Sequence, residues 1–186
     1  MSYTVRPENH ELEEARRSVE GAIESCKYVL SKEKDLEINL GVSSDERRGA
    51  HGLAESEEVL QLFFNPEIDG WSEQIGQTAV NCYGEAWFRE NKGSIDFVWE
   101  KFLASVTGLL LLEKTGESRE IDGDFSDEWV EKEGKLESML SPEAHEDFPW
   151  QIKARIGEEL LEKHELQDFP GLTLSDVRKA GEKAFD

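Results

Sequence analysis

Basic residues are scarce. The 186-residue chain carries 21 Lys and Arg against 42 Asp and Glu, a formal net charge of −21. That deficit argues against direct nucleic-acid binding, because phosphates need a basic patch. The two arginine pairs, Arg16-Arg17 and Arg47-Arg48, both have acids close by. Cysteine is almost absent: Cys26 and Cys82 form no motif, which leaves no disulfide framework. No apolar run approaches eighteen residues, so nothing is long enough to span a membrane. The opening MSYTVRPENHELEE is polar and acidic, unlike a signal peptide. These features point to a cytoplasmic protein. GAHG (49 to 52) lacks the Gly-Lys-Ser/Thr of a phosphate loop, and no EF-hand spacing is present. No repeat and no low-complexity linker breaks the chain, so 1–186 reads as a single domain.

What is plentiful is diffuse negative charge. Acids occur in every segment and are not gathered in a tail. Their self-repulsion destabilises a compact chain. Molar salt shortens the Debye length to about 3 Å and removes most of that penalty. Two readings follow: a salt-adapted, haloarchaeal-type protein, or an acidic partner-binding protein from an ordinary cell. Glu outnumbers Asp, which is not the usual halophile balance. Hydrophobic residues make up 37% of the chain, including five Trp and nine Phe, enough for a core.

The hydrophobic periodicity predicts α+β order. Residues 8–33 read as a helix on Leu12, Ala15, Val19, Ala22, Ile23, Cys26, Val29 and Leu30. Alternation in LEINLGV (36–42) predicts a strand, 43–58 a polar loop, and VLQLFFNP (59–66) a second strand ended by Asn65-Pro66. Helices are expected over 71–90, 97–114, 128–140, 150–163 and 176–184, the last capped by Thr173 or Ser175, with a loop around TGESREIDGDFSD.

That order, together with GAHGLAESEEVLQLFFNP, TAVNCYGEAWF, LASVTGLLLLE, PWQIKARIGEELLEKHEL and LTLSDVRKAGEKAF, resembles the predicted zinc-dependent proteases of gluzincin type found in bacteria and archaea. The resemblance spans 36–186 and leaves 1–35 as a peripheral N-terminal helix beside a protease-like core. It implies a zincin-like arrangement: two strands, an active-site helix bearing His-Glu-x-x-His, and a second helix whose Glu-Gly supplies the third ligand. In this chain Asn81 stands at the first His, Cys82 at the general-base Glu, Glu85 at the second His, and Thr107, before Gly108, at the third-ligand Glu. Zinc needs three protein ligands and an open position, and a peptidase needs a carboxylate base. The resemblance therefore implies a vestigial site at Asn81, Cys82, Glu85 and Thr107, with no metal, no cofactor and no catalytic residues.

Other candidates have plainer readings beside them. Cys82 as a nucleophile would need a partner His, and His10, His51, His145 and His164 are all distant in sequence. His51 could fold over the helix with Cys82 and Glu85 to hold a metal. Tyr83 and Trp87, like Trp71, Trp99 and Trp150, could line a pocket or simply pack the core. Glu55, Glu57 and Glu58 read as a solvated acidic loop. Two functions remain. One is a non-catalytic protein that binds a protein or peptide by strand addition to an exposed second strand. The other is a metal- or Cys-dependent hydrolase with substituted residues. The stripe on 8–33 is long enough to dock a second copy of the chain.

Overall fold

The computed structural model describes residues 9–116 and 150–185. The helix expected over 128–140, most of the loop before it, and His145 lie outside these residues. The chain is α+β: helix α1 (Asn9–Lys27), strands β1 (Glu37–Val42), β2 (Ala50–Ala54) and β3 (Val59–Phe64), then helices α2 (Trp71–Lys92), α3 (Val98–Thr115), α4 (Trp150–Leu161) and α5 (Leu174–Phe185), with a 3-10 turn at Leu166–Gly171 between the last two. Among the described residues no helix is long and apolar enough to cross a membrane.

α1 is shorter than its periodicity predicts. The amides of Val29 and Leu30 both bond back to the Cys26 carbonyl, which closes the helix, and the chain then runs irregularly to β1. Most of its stripe is used within the chain, although Leu12 stays exposed. Ala15, Val19, Ala22, Ile23 and Cys26 are buried, and α1 packs on α2. Small residues allow the approach: Ser18 Oγ lies 3.0 Å from Ser72 Oγ, and Gly76 faces the Ser18 carbonyl and Ala22. The first helix therefore belongs to the main core, and most of its apolar face packs on α2.

The sheet corrects the sequence reading in one respect that bears on function. A third strand, β2, lies inside the segment read as loop, and the order is β1-β3-β2. β3 pairs parallel to β1 and antiparallel to β2. The second strand of the sequence reading is thus central, with both edges occupied, and cannot accept an added segment. The connection between β1 and β2 wraps around the end of β3. Ser43 N donates to the Phe64 carbonyl, Asn65 N to the Gly49 carbonyl and Asn65 Nδ2 to the Asp45 carbonyl, at 2.8, 2.8 and 3.0 Å. Asn65 is buried beneath that loop, which explains why a polar residue stands there.

α2 is the organising element, because three of its faces have different tasks. One face carries Ile75, Ala79 and Val80 into the core. A second, at Tyr83, Trp87 and Glu90, holds the segment that follows α1. Tyr83 Oη donates to the Leu30 carbonyl (2.7 Å), Trp87 Nε1 to the Ser31 carbonyl (3.0 Å), and Glu90 accepts from Lys34 N (2.7 Å). The third meets α3, where Gly84 and Gly108 oppose each other so closely that a Cβ on Gly84 would stand 2.5 Å from Gly108 Cα. α4 closes on α3 through Gly157, beside Val106 and Leu110. Thr173 precedes α5 and donates to Asp176 Oδ2 from both N and Oγ1, at 2.9 and 2.7 Å.

Candidate functional site

The α2–α3 crossing sets the backbones of Asn81 and Thr107 near each other beside Gly84 and Gly108. Asn81 is one turn before Gly84, and a Cβ on Gly108 would meet the Asn81 carbonyl at 2.4 Å and its Oδ1 at 2.7 Å. Asn81 Nδ2 donates to Glu85 Oε1 at 3.3 Å, the i, i+4 contact of a shared helix face. Thr107 flanks the crossing but is fully buried, and its hydroxyl donates to the Leu103 carbonyl at 2.8 Å within α3. The two polar side chains of α2 thus satisfy each other, and the third position is committed to its own helix.

Cys82 points elsewhere. It is 1% exposed and packed in the core, where burial and the neighbouring Glu85 carboxylate push its thiol upward, away from the thiolate a nucleophile requires. It therefore joins neither Glu85 nor His51 as a ligand, and the described residues contain no group of three or more His, Cys, Asp or Glu able to hold a metal ion. Tyr83 and Trp87 are tethers for the segment after α1 and do not line the cleft described below. Trp71 stacks on Phe64 with ring centroids 4.9 Å apart, and Trp99 lies near Phe97 and Lys92. The side chain of Trp150 is outside the described residues.

Burial raises the Glu85 carboxyl, and Lys153, Arg89 and Asn81 only partly oppose it. A proton is then held to higher pH in the folded chain than in the unfolded one. Stability from this group is present below the ordinary carboxylate range and is lost as pH rises through the folded pKa. Glu85→Gln keeps an acceptor for Asn81 and has no such loss. Its urea midpoint should exceed that of the parent at neutral pH and converge with it near about pH 4.

On the cavity side of α2 lies the feature that sequence reasoning missed. A cavity of about 690 Å³ opens between β2, α2, α3 and α4. Ala50, His51 and Gly52 of β2 form one wall. Gln74, Gln77, Thr78 and Asn81 of α2 face Ser105, Leu109 and Leu112 of α3, and Lys153 of α4 closes the end. Arg47 and Arg48 stand at the rim on the β1–β2 connection. That connection is pinned on both sides: Arg47 N bonds Asp45 Oδ1 (2.9 Å), and Gly49 N bonds Gln74 Oε1 (3.0 Å). Gly49 must be glycine here, since a Cβ would lie 2.9 Å from Trp71 Cα. Lys153 Nζ donates to Ser105 Oγ at 2.9 Å. His51 stacks on its cross-strand partner Phe63, centroids 5.2 Å apart, and its Nδ1 is shielded from solvent without a hydrogen-bond partner.

The outer edge of β2, which pairs with no strand among the described residues, borders this cavity. Asn65 N donates to the Gly49 carbonyl and Glu55 N to the Val59 carbonyl, so 49/65 and 55/59 are hydrogen-bonded pairs. Antiparallel alternation then turns the backbone groups of His51 and Leu53 toward β3, and those of Ala50, Gly52 and Ala54 outward. Gly52 has no room for a side chain: a Cβ would meet Leu62 Cδ2 at 2.6 Å and Thr78 Cγ2 at 3.1 Å. The strand therefore lies close on α2. The available signal was GAHG itself, with two glycines spaced to permit close backbone approach.

The chain matches no protein-family model, no curated protein and no solved structure.

Proposed function

We propose that this chain is a non-catalytic, salt-adapted cytoplasmic binding protein of degenerate metalloprotease-like build that holds an extended segment of a partner polypeptide. The segment adds to the outer edge of β2. The observation that carries this reading is the outer edge of β2, which no strand pairs with among the described residues and whose Gly52 lines a cavity walled by α2 and α3. A sheet edge that no strand covers is a ready template for another strand, and main-chain bonds there give affinity without chemistry. The residues around it fit holding better than cleaving. Asn81 and Glu85 bond each other, and Cys82 is turned into the core. The hydrolase alternative would require Cys82 to leave that core or Glu85 to give up its partner. The diffuse acidity of the chain supports the salt-adapted part of the reading.

Hydrogen exchange read residue by residue tests it. A pool of short, extended, proline-free peptides in excess should slow exchange of the Ala50, Gly52 and Ala54 amides, leave the already paired His51 and Leu53 amides unchanged, and be recovered intact with or without added zinc. Zinc-dependent cleavage of the pool, or unchanged exchange at all three outward amides, would overturn it.

A further inference from the structure

We infer that the segment bound along β2 is acidic, its carboxylates held by Arg47 and Arg48 at the cavity rim. The inference rests on the strand-addition reading and adds the chemistry of the partner. Acids outnumber bases 42 to 21 in this chain, yet among the described residues no acid lines the cavity, and Arg47 and Arg48 do. The rest of the polar lining is amide and hydroxyl, with the His51 imidazole and the Lys153 ammonium. Arg47 and Arg48 are exposed, and neither guanidinium has an ion-pair partner among the described residues, although Asp45 and Glu46 precede them directly. The pinned turn accounts for this. Asp45 Oδ1 is engaged by Arg47 N, and the Asp45 carbonyl by Asn65 Nδ2. The arginines are thus presented from a fixed backbone and not from a loose loop. A guanidinium fork matches a carboxylate with two parallel bonds, which favours these residues over a diffuse positive field.

The chemistry also selects among anions. Net charge of −21 repels a polyanion at long range, and phosphate-backbone binding grows with the number of neutralised charges. Two guanidinium groups are too few for a nucleic acid but suffice for one or two carboxylates. In an added strand, side chains on one face recur about every 6.6 Å, so alternate residues present a row of carboxylates to one wall while the backbone pairs with Ala50 and Gly52. A cavity of about 690 Å³ is within the range of ligand sites, roughly 300–1,000 Å³. The polypeptide commits both features, edge and cations, where a small anion would use only the second.

The test is calorimetric titration with a capped peptide of alternating threonine and glutamate, its glutamine counterpart, and a single-stranded oligodeoxynucleotide. At moderate salt the glutamate peptide should bind about tenfold more tightly than the glutamine peptide. Arg47→Gln/Arg48→Gln should shrink that ratio to about threefold or less with the unfolding midpoint unchanged, because both side chains are exposed. Equal binding of the two peptides, or a ratio unmoved in the double variant, sinks the acidic specificity while leaving strand addition standing. Failure of both peptides to bind, with the β2 amides still exchanging freely, sinks both. Tighter binding of the oligonucleotide also overturns the inference.

Discussion

Lys32→Met should lower the unfolding midpoint by roughly 10 °C or more, the largest loss expected from any single charge in the described residues. Lys32 Nζ lies 3.0 Å from Glu90 Oε2, and the two side chains are 4% and 8% exposed. They attract as charges without forming an aligned hydrogen bond, since neither atom has a hydrogen-bond partner. Glu90 also accepts from Lys34 N through its other oxygen, so this carboxylate fixes the segment between α1 and β1 to α2. Removing the ammonium leaves a buried carboxylate uncompensated, at a cost of about 3–5 kcal/mol. Adding Glu90→Gln should recover most of it, because the amide oxygen still serves Lys34 N and the stranded charge is gone. Screening reaches buried pairs weakly, so the deficit should persist in molar salt, whereas effects of surface charge should fade there. A single variant as stable as the parent, or a double variant no better than the single one, would show that the pair contributes little.

Gly108→Ala should cost about 2–3 kcal/mol and lower the midpoint by roughly 5–10 °C. The added carbon would sit 2.4 Å from a backbone carbonyl, that of Asn81, which cannot rotate aside. The helices would have to part. The gain in helix propensity, about 1 kcal/mol for leaving glycine, offsets only part of this. Gly21→Ala is the matched comparison. Gly21 is exposed on α1 with nothing within 4 Å of its would-be Cβ, so propensity acts alone and the midpoint should rise by a few degrees. Thermal unfolding of the two variants in parallel decides the matter: movement in the same direction would mean that the α2–α3 backbone contact is looser than 2.5 Å implies. Because this crossing carries Asn81 and leads on to Ser105 and Leu109, Gly108→Ala should also disturb the cavity and weaken peptide binding.

Legibility varied with how local the cause was. α2 and α3 were readable to within a few residues, since Ile75, Ala79, Phe102 and Leu103 repeat at helical spacing and are buried where that spacing puts them. β1 and β3 were readable from alternation, and Asn65-Pro66 marked the end of β3. β2 was not. Ala50 and Ala54 are small, Gly52 is absent of side chain, and the bulk that makes this a sheet comes from Leu60, Leu62 and Phe64 of its neighbour. Helix α1 was overrun because Val29 and Leu30 continue the period, while the chain leaves the helix to offer its carbonyls to Tyr83 and Trp87. In the candidate site, Asn81 and Glu85 were legible as helix neighbours. Arg47, Arg48, Ser105 and Lys153 were not, for they come from three elements with no common spacing.

By itself the sequence determined an acidic chain with enough apolar periodicity for α+β elements and no His-Glu-x-x-His. These depend on residue type and nearest neighbours. Only the tertiary structure decided that the central strand is closed on both edges, that Cys82, Tyr83 and Trp87 face away from the cleft, and that a cationic cavity exists in so acidic a chain. Those outcomes depend on which faces meet across the fold. Two helices crossing at glycine contact, and a loop tied down by Asn65 and Gln74, set that geometry through backbone bonds that no sequence period announces.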